Sequence, residues 1–159
     1  MRTLVRRLFA RKAPVLCEAT PADARAFASL HAESFHQAWS DGEFDRLLRA
    51  PNVIAHRLAL GRDCLGFILS RMAADEAEIL SVAVARSHRG EGLGRSLVEI
   101  NLRRLAGFGV QHVFLEVAQN NLSARRMYQR TGFHEVGRRK GYYAGNNGSE
   151  ALILRRKLP

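Results

Sequence analysis

Three places in this 159-residue chain put reactive or ligand-holding residue types where they could do chemistry. The first is HRGEGLGRSL (88–97), where Gly90, Gly92 and Gly94 alternate with Glu91 and Leu93 between Arg89 and Arg95. A glycine-rich turn running into a helix aims bare backbone N–H groups and the positive end of the helix dipole at one point, which suits a pyrophosphate. Arg89 and Arg95 would add charge. The second is Glu116, the carboxylate in the otherwise apolar run HVFLEV (112–117). It can act as a general base if its strand borders a reaction centre, and is an ordinary exposed strand residue if it does not. The third is Tyr128, seven residues after Asn121, which predicts that the two share one helical face about two turns apart. By spacing alone that tyrosine is core.

The glycine loop has rivals to exclude. A phosphate-binding P-loop needs G-x-x-x-x-G-K-[ST], and the segment contains no lysine. A dinucleotide fingerprint needs G-x-G-x-x-G, whereas Arg95 stands where the third glycine belongs. Glu116 does lie near the end of the next strand, about where a ribose-binding acid is expected, so on the residues alone that reading stays open. A plain strand-to-helix turn that requires positive φ also accounts for the glycines. Metal chemistry has little support. The histidines (31, 36, 56, 88, 112 and 134) form no HExxH pattern, Cys17 and Cys64 have no CxxC or zinc-type spacing, and we expect no metal site.

The elements that must position these groups follow from the periodicity. PVLCEA reads as a short strand, and Thr20-Pro21-Ala22-Asp23 as the start of a helix over about 21–35. Ser40 with Glu43 forms a capping box for a short helix that stops before Pro51. Three extended segments, about 53–60, 64–72 and 77–85, then suit an antiparallel meander. From residue 93 the period becomes helical, with Leu93, Leu97, Val98, Ile100, Leu102 and Leu105 on a broad apolar face that Gly107 and Gly109 end. A strand (112–117), a helix (123–130), a cap at Gly132, a strand around FHEVG and a last strand in EALILRRKL complete the order β-α-α-β-β-β-α-β-α-β-β. That order predicts an α/β (α+β) sandwich of helices on a mixed sheet.

The composition sets the frame. With 47% apolar residues the chain can bury the core of one domain, which we place at 15–159. The net charge of +10 is concentrated at the start, where Arg2, Arg6, Arg7, Arg11 and Lys12 precede the first acid, Glu18. Residues 1–14 are therefore read as a basic extension, in preference to a surface-binding helix or a transit peptide. No run is long and apolar enough for a membrane span, and the cysteine usage suits a reducing compartment, so the expected location is cytoplasmic. A basic surface favours acidic partners, but no aromatic-interleaved nucleic-acid motif is present and no specific nucleic-acid or membrane binding is expected. We expect a monomer or weak dimer.

RGEGLG also satisfies the [Q/R]-x-x-G-x-[G/A] pattern of the GCN5-related N-acetyltransferases, with Arg89, Gly92 and Gly94 at its fixed positions. The chain resembles that GNAT family over roughly 15–158, through ILSVAV before the loop, NNLSARRMYQRTGF after it and the order of elements. The resemblance implies a sheet splayed at an acetyl-CoA site with helices on both faces. It implies that the loop from Arg89 through Gly90, Glu91, Gly92, Leu93 and Gly94 to Arg95 holds the pyrophosphate, that Val82, Ala83 and Val84 run beside the pantetheine, and that Asn121 contacts the cosubstrate. It makes Glu116 the general base, directly or through a water, and Tyr128 the acid that protonates the departing thiolate. Backbone N–H groups near Val82 and Val84 become the oxyanion donors. Within the family the chain is most similar to the ribosomal-protein-alanine N-acetyltransferases (RimI type), through AWS (38–40), LEV, N-x-x-A-R-x-M-Y and RRKGYY (138–143). That implies a protein N-terminus as acceptor, with Trp39, Tyr142 and Tyr143 lining its groove. An acetyltransferase for a small amine or a lysine side chain, and a non-catalytic coenzyme A, nucleotide or nucleic-acid-binding module, are the alternatives. AGNNGS (144–149) beside the acceptor site departs from the family pattern.

Overall fold

The elements form in the predicted order: β1 (Val15–Glu18), α1 (Ala24–Ser34), α2 (Asp41–Arg49), β2 (Val53–Leu60), β3 (Asp63–Ala73), β4 (Glu76–Val84), α3 (Leu93–Gly107), β5 (His112–Ala118), α4 (Leu122–Arg130), β6 (His134–Arg139) and β7 (Ala151–Lys157). The computed structural model describes residues 12–141 and 150–159. Most of the basic extension, AGNNGS, Tyr142 and Tyr143 lie outside the described residues. Local chemistry explains the helix starts. Ser40 Oγ accepts the Glu43 N–H at 3.2 Å while Glu43 Oε2 accepts the Ser40 N–H at 2.7 Å, a reciprocal cap on α2. A 3-10 turn at Pro21–Asp23 leads into α1. There Asp23 accepts from the Thr20 N–H at 2.8 Å and pairs with Arg57 of β2 at 3.2 Å, so one carboxylate both ends the loop and ties it to the sheet.

The seven strands run in the order β1-β2-β3-β4-β5-β7-β6. All neighbours are antiparallel except β4 and β5, which pair in parallel at only three positions, Glu76, Ala77 and Glu78 with His112, Val113 and Phe114. Beyond Glu78, β4 continues along β3 as far as Val84 opposite Gly66. Over the same stretch β5 follows β7 to Ala118 opposite Ala151. The two central strands therefore part, and the inner edge of β4 past Glu78 has no strand partner among the described residues.

A bulge in β4 coincides with this parting. Ser70 lies opposite Ile79 and Leu69 opposite Ser81, so Leu80 is the additional residue. One inserted residue moves the following side chains to the opposite face. Before it, Ala77 and Ile79 point into the core beneath α3; after it, Ala83 joins the core beneath α1 and α2, while Val82 and Val84 pack toward α3. The sheet thus separates two cores. On one face Leu97, Val98, Leu102 and Leu105 of α3 meet Ile68, Val113, Leu115, Val117 and Leu152. On the other, Phe27 stacks on Phe67 at 4.5 Å and Phe44 meets both edge-on at 5.9 and 5.4 Å. The one polar group α3 buries in its core, Asn101, is satisfied: Ser70 Oγ donates to its Oδ1 at 2.5 Å, and its Nδ2 lies 3.3 Å from both the Ile54 carbonyl and His56 Nδ1.

Candidate active site

The glycine loop has the shape of an anion cradle. Gly90 (φ +79) and Gly92 (φ +78) both occupy the left-handed region, which side chains strain to adopt. Gly92 is the N-cap of α3, and the first helical bond runs from the Ser96 N–H to the Gly92 carbonyl at 3.1 Å. The N–H groups of Leu93, Gly94 and Arg95 precede it and have no intrahelical acceptor. Ser40 caps α2 and Asn121 caps α4, but no side chain caps α3. Gly94 lies where α3, α4 and β4 converge: a Cβ there would stand 3.0 Å from Met127 Sδ and 3.8 Å from Val84 Cγ2.

The arginines beside the loop are committed elsewhere. Arg89 donates through Nε to the Val84 carbonyl and through Nη2 to Ser34 Oγ, both at 3.0 Å, and Arg95 pairs with Glu99 at 2.8 Å. The loop therefore offers backbone dipoles before side-chain charge. Arg86 reaches the Glu33 carbonyl at 3.0 Å, so two arginines fasten the loop to the last turn of α1. That same turn carries His31, which is 3% exposed and whose Nδ1 accepts the Trp39 N–H at 3.1 Å. His31 stacks on Trp39 at 4.8 Å and on Phe35 at 4.4 Å. Burial holds the His31 imidazole below its ordinary pKa, with the Glu43 carboxylate opposing. The neutral ring with a free Nδ1 lone pair is the form that the Trp39 N–H requires.

Across the gap between β4 and β5, the candidate acid and base face opposite sides of the sheet. Val113, Leu115 and Val117 point into the α3 core, so Glu116 projects toward the α1–α2 face. Its side chain is 22% exposed and Oε1 pairs with Arg139 Nη2 of β6 at 3.2 Å. Tyr128 lies on the α3 side, 8% exposed, with its ring edge-on to Phe133 at 5.7 Å. Ser81, beside the bulge, has a buried hydroxyl that bonds nothing among the described residues. Glu116 and Tyr128 thus lie on opposite sides of the sheet.

Residues 24–133 match the acetyltransferase (GNAT) family. The chain belongs to that family. It is 34% identical to the N-alpha-acetyltransferase RimI of Mycobacterium tuberculosis over 146 residues, 86% of this chain and 88% of that protein. It is also 34% identical to the [ribosomal protein bS18]-alanine N-acetyltransferase of Escherichia coli K12 over 88 residues, 55% of this chain but only 60% of that protein's length. The crystal structure of the ribosomal-protein-S18-alanine N-acetyltransferase from Escherichia coli superposes with a TM-score of 0.84 at 25% identity, covering 91% of this chain and 93% of that one. GNAT enzymes take acetyl-CoA as acetyl donor, and this chain's geometry fits that molecule. The uncapped α3 N-terminus suits a pyrophosphate, and the unpaired β4 edge offers N–H and C=O groups to an extended amide chain.

Against the sequence expectations, one placement differs. Asn121 stands before α4 as its N-cap, with Oδ1 accepting the Ala124 N–H at 3.2 Å; it does not share a helical face with Tyr128, and Nδ2 is the part of its side chain that could reach a cosubstrate. Trp39 is a packing residue on one side, tilted against Phe44 at 5.4 Å, and only partly buried on the other. Val82, Ala83 and Val84 line the open edge, with the Val84 carbonyl taken by Arg89. Sequence reading passed over His31, Ser81 and Arg139. The first is one of six scattered histidines, and the second is silent without the bulge. The third was visible as part of RRKGYY but had no assigned partner.

Proposed function

We propose that the protein is an acetyl-CoA-dependent N-acetyltransferase whose acceptor is the N-terminal α-amino group of a protein, with the alanine terminus of a ribosomal protein as the first candidate. The observation that carries this reading is the division of Glu116 and Tyr128 between the two faces of the sheet at the β4–β5 gap. Acetyl-CoA supplies an activated acyl carbon and a thiolate leaving group. The backbone from Gly90 to Arg95 holds the pyrophosphate, and the β4 edge at Val82–Val84 aligns the pantetheine amides and provides N–H groups for the carbonyl oxygen. Glu116, directly or through one water, takes the proton the amine must lose. Tyr128 gives a proton to sulfur from the opposite side. Trp39, set by His31, forms one wall of the acceptor groove, with Tyr142 and Tyr143 as the residues of the β6–β7 connection assigned to the other.

The identities of 34% to two N-terminal acetyltransferases support the same acceptor class. Coupled thiol release across peptides with free alanine, serine or methionine termini, polyamines and N-terminally blocked lysine peptides tests it. The expected result is turnover on an alanine terminus that drops at least a hundredfold in Glu116→Gln and Tyr128→Phe while acetyl-CoA binding persists. Activity confined to polyamines would refute the acceptor assignment. Undiminished thiol release in both variants would refute the roles given to the two residues.

A further inference from the structure

The Arg139–Glu116 pair is held by an unusual reach. Arg139 on β6 and Glu116 on β5 are separated by β7, two strand spacings or about 9.6 Å across the sheet. Arg139 lies opposite Ala151, which in turn lies opposite Ala118. Paired residues share a face, so the guanidinium crosses β7 on the face that carries Ala151 and Ile153, the latter opposite Glu116, to arrive at Glu116 Oε1 at 3.2 Å. The carboxylate thus presents Oε2 to the acceptor face, with the guanidinium beside Oε1. The other charged or titratable groups on this face of β4 to β7 are Arg155 and Lys157 on β7, His112 on β5, His134 on β6, and Glu76 and Glu78 on β4, the last paired with Arg71 at 3.6 Å.

We infer that Arg139 is a selectivity residue, which makes the site accept amines that arrive uncharged and so admits a protein α-amine while excluding a lysine side chain. This rests on the acceptor reading above and extends it. An ammonium docking on Glu116 alone would find an attractive carboxylate. With the guanidinium at Oε1, the charge of the carboxylate is already balanced, and an arriving ammonium meets a like charge a few ångströms away. Only the route in which the amine sheds its proton to solvent before it binds remains open. In that route the neutral amine attacks, its N–H proton passes to Glu116 as the C–N bond forms, and the C–S bond breaks with protonation of the sulfur. An α-amine with a pKa near 7.8 is roughly 15% neutral at pH 7, whereas a lysine near 10.4 is neutral to only about 0.04%. The filter therefore costs lysine some two orders of magnitude more than an α-amine.

The test measures kcat/KM from pH 6 to 9 for an alanine-terminated peptide without lysine and for an N-acetylated peptide bearing one lysine, in wild type, Arg139→Gln and Arg139→Lys. In wild type, kcat/KM for the alanine peptide should rise about tenfold per pH unit below the amine pKa. In Arg139→Gln that slope should flatten and the lysine-to-alanine ratio rise by about tenfold; Arg139→Lys should restore the slope and the selectivity. A wild-type profile flat between pH 6 and 7.5 overturns the inference without recourse to any variant. An unchanged slope and ratio in an Arg139→Gln protein that still binds acetyl-CoA overturns it as well. Wild-type preference for lysine peptides would instead overturn the acceptor reading and this inference together, which distinguishes the two failures.

Discussion

Replacing Gly92 with alanine asks whether the cradle at the head of α3 depends on its backbone conformation. Gly92 has φ +78 with open space around its Cβ position, so the substitution meets no neighbour and acts through the backbone alone. An alanine in the left-handed region costs about 1–2 kcal/mol. The protein can meet that cost in two ways. If the loop keeps its shape, unfolding stability falls by that amount and acetyl-CoA binds as before. If residue 92 relaxes to negative φ, stability is largely retained, but the N–H groups of Leu93, Gly94 and Arg95 no longer converge and the dissociation constant rises about 5- to 30-fold. The two losses should sum to about 1–2 kcal/mol, read by thermal or urea unfolding of the free protein and by calorimetric titration with coenzyme A. Gly94→Ala is the internal control. It lies inside the helix, where alanine gains up to about 1 kcal/mol over glycine, and its Cβ would displace only the mobile Met127 sulfur at 3.0 Å; stability should hold or rise. A Gly92→Ala protein as stable and as tight-binding as wild type would refute the cradle argument.

Removing Phe44, which is fully buried against Phe27 and Phe67, should cost about 3–5 kcal/mol in urea unfolding; Phe44→Leu, keeping most of the volume, should cost far less and leave turnover measurable. Ser34→Ala removes the acceptor for Arg89 at 3.0 Å and leaves every residue of the glycine loop itself in place. It should raise the KM for acetyl-CoA two- to threefold with stability within about 1 kcal/mol of wild type, and an unchanged KM would mean that Arg89 works independently of α1. Burial holds His31 and His56 below their ordinary pKa, opposed by Glu43 at the first and by Glu18 at the second, where Arg104 adds to the lowering. As pH falls through about 6.5 the unfolded chain gains protons that the folded chain does not, so folding stability should decline from there until the depressed pKa values are reached. Melting temperatures from pH 8 to 5 should show that fall in wild type and a shallower one in His56→Gln; a flat wild-type profile would refute it.

Most of the architecture was legible because each element carries its own local cause. The Ser40–Glu43 box, the meander, the 3.6-residue period from Leu93 and the apolar run at 112–117 are all satisfied within a few residues of chain, and all are present. The glycine loop was legible for the same reason: positive φ at Gly90 and Gly92 is a local demand. Long-range pairings were not. Nothing in RRKGYY indicates that its second arginine crosses β7 to reach a glutamate 23 positions earlier, and nothing in SLHAESFHQAWS singles out His31 as the histidine that receives the Trp39 N–H. The spacing of Asn121 and Tyr128 pointed to one helical face because seven residues are about two turns, which holds only where residue 121 is itself helical. The side chain of Asn121 instead ends the preceding turn by capping, the role for which asparagine competes against helix interiors.

Two irregularities in β4 and β5 decide which groups can meet. Had the strands stayed paired beyond Glu78, the backbone groups of Val82 and Val84 would be spent on β5, leaving no edge for an extended amide chain and no opening between the faces. Had β4 run without its bulge, the alternation begun by Ala77 and Ile79 would have continued, turning Ser81 and Ala83 into the α3 core and Val82 and Val84 onto the acceptor face. Two β-branched side chains would then crowd the surface toward which Glu116 projects, and two small residues would leave voids beneath α3. The additional residue, Leu80, exchanges these sets. It places small side chains, Ser81 and Ala83, on the face toward which Glu116 projects, and apolar bulk on the side where Tyr128 is packed. The separation of Ser81 and Ala83, on the face toward which Glu116 projects, from Val82 and Val84, on the face where Tyr128 is packed, is in this sense a consequence of strand phase.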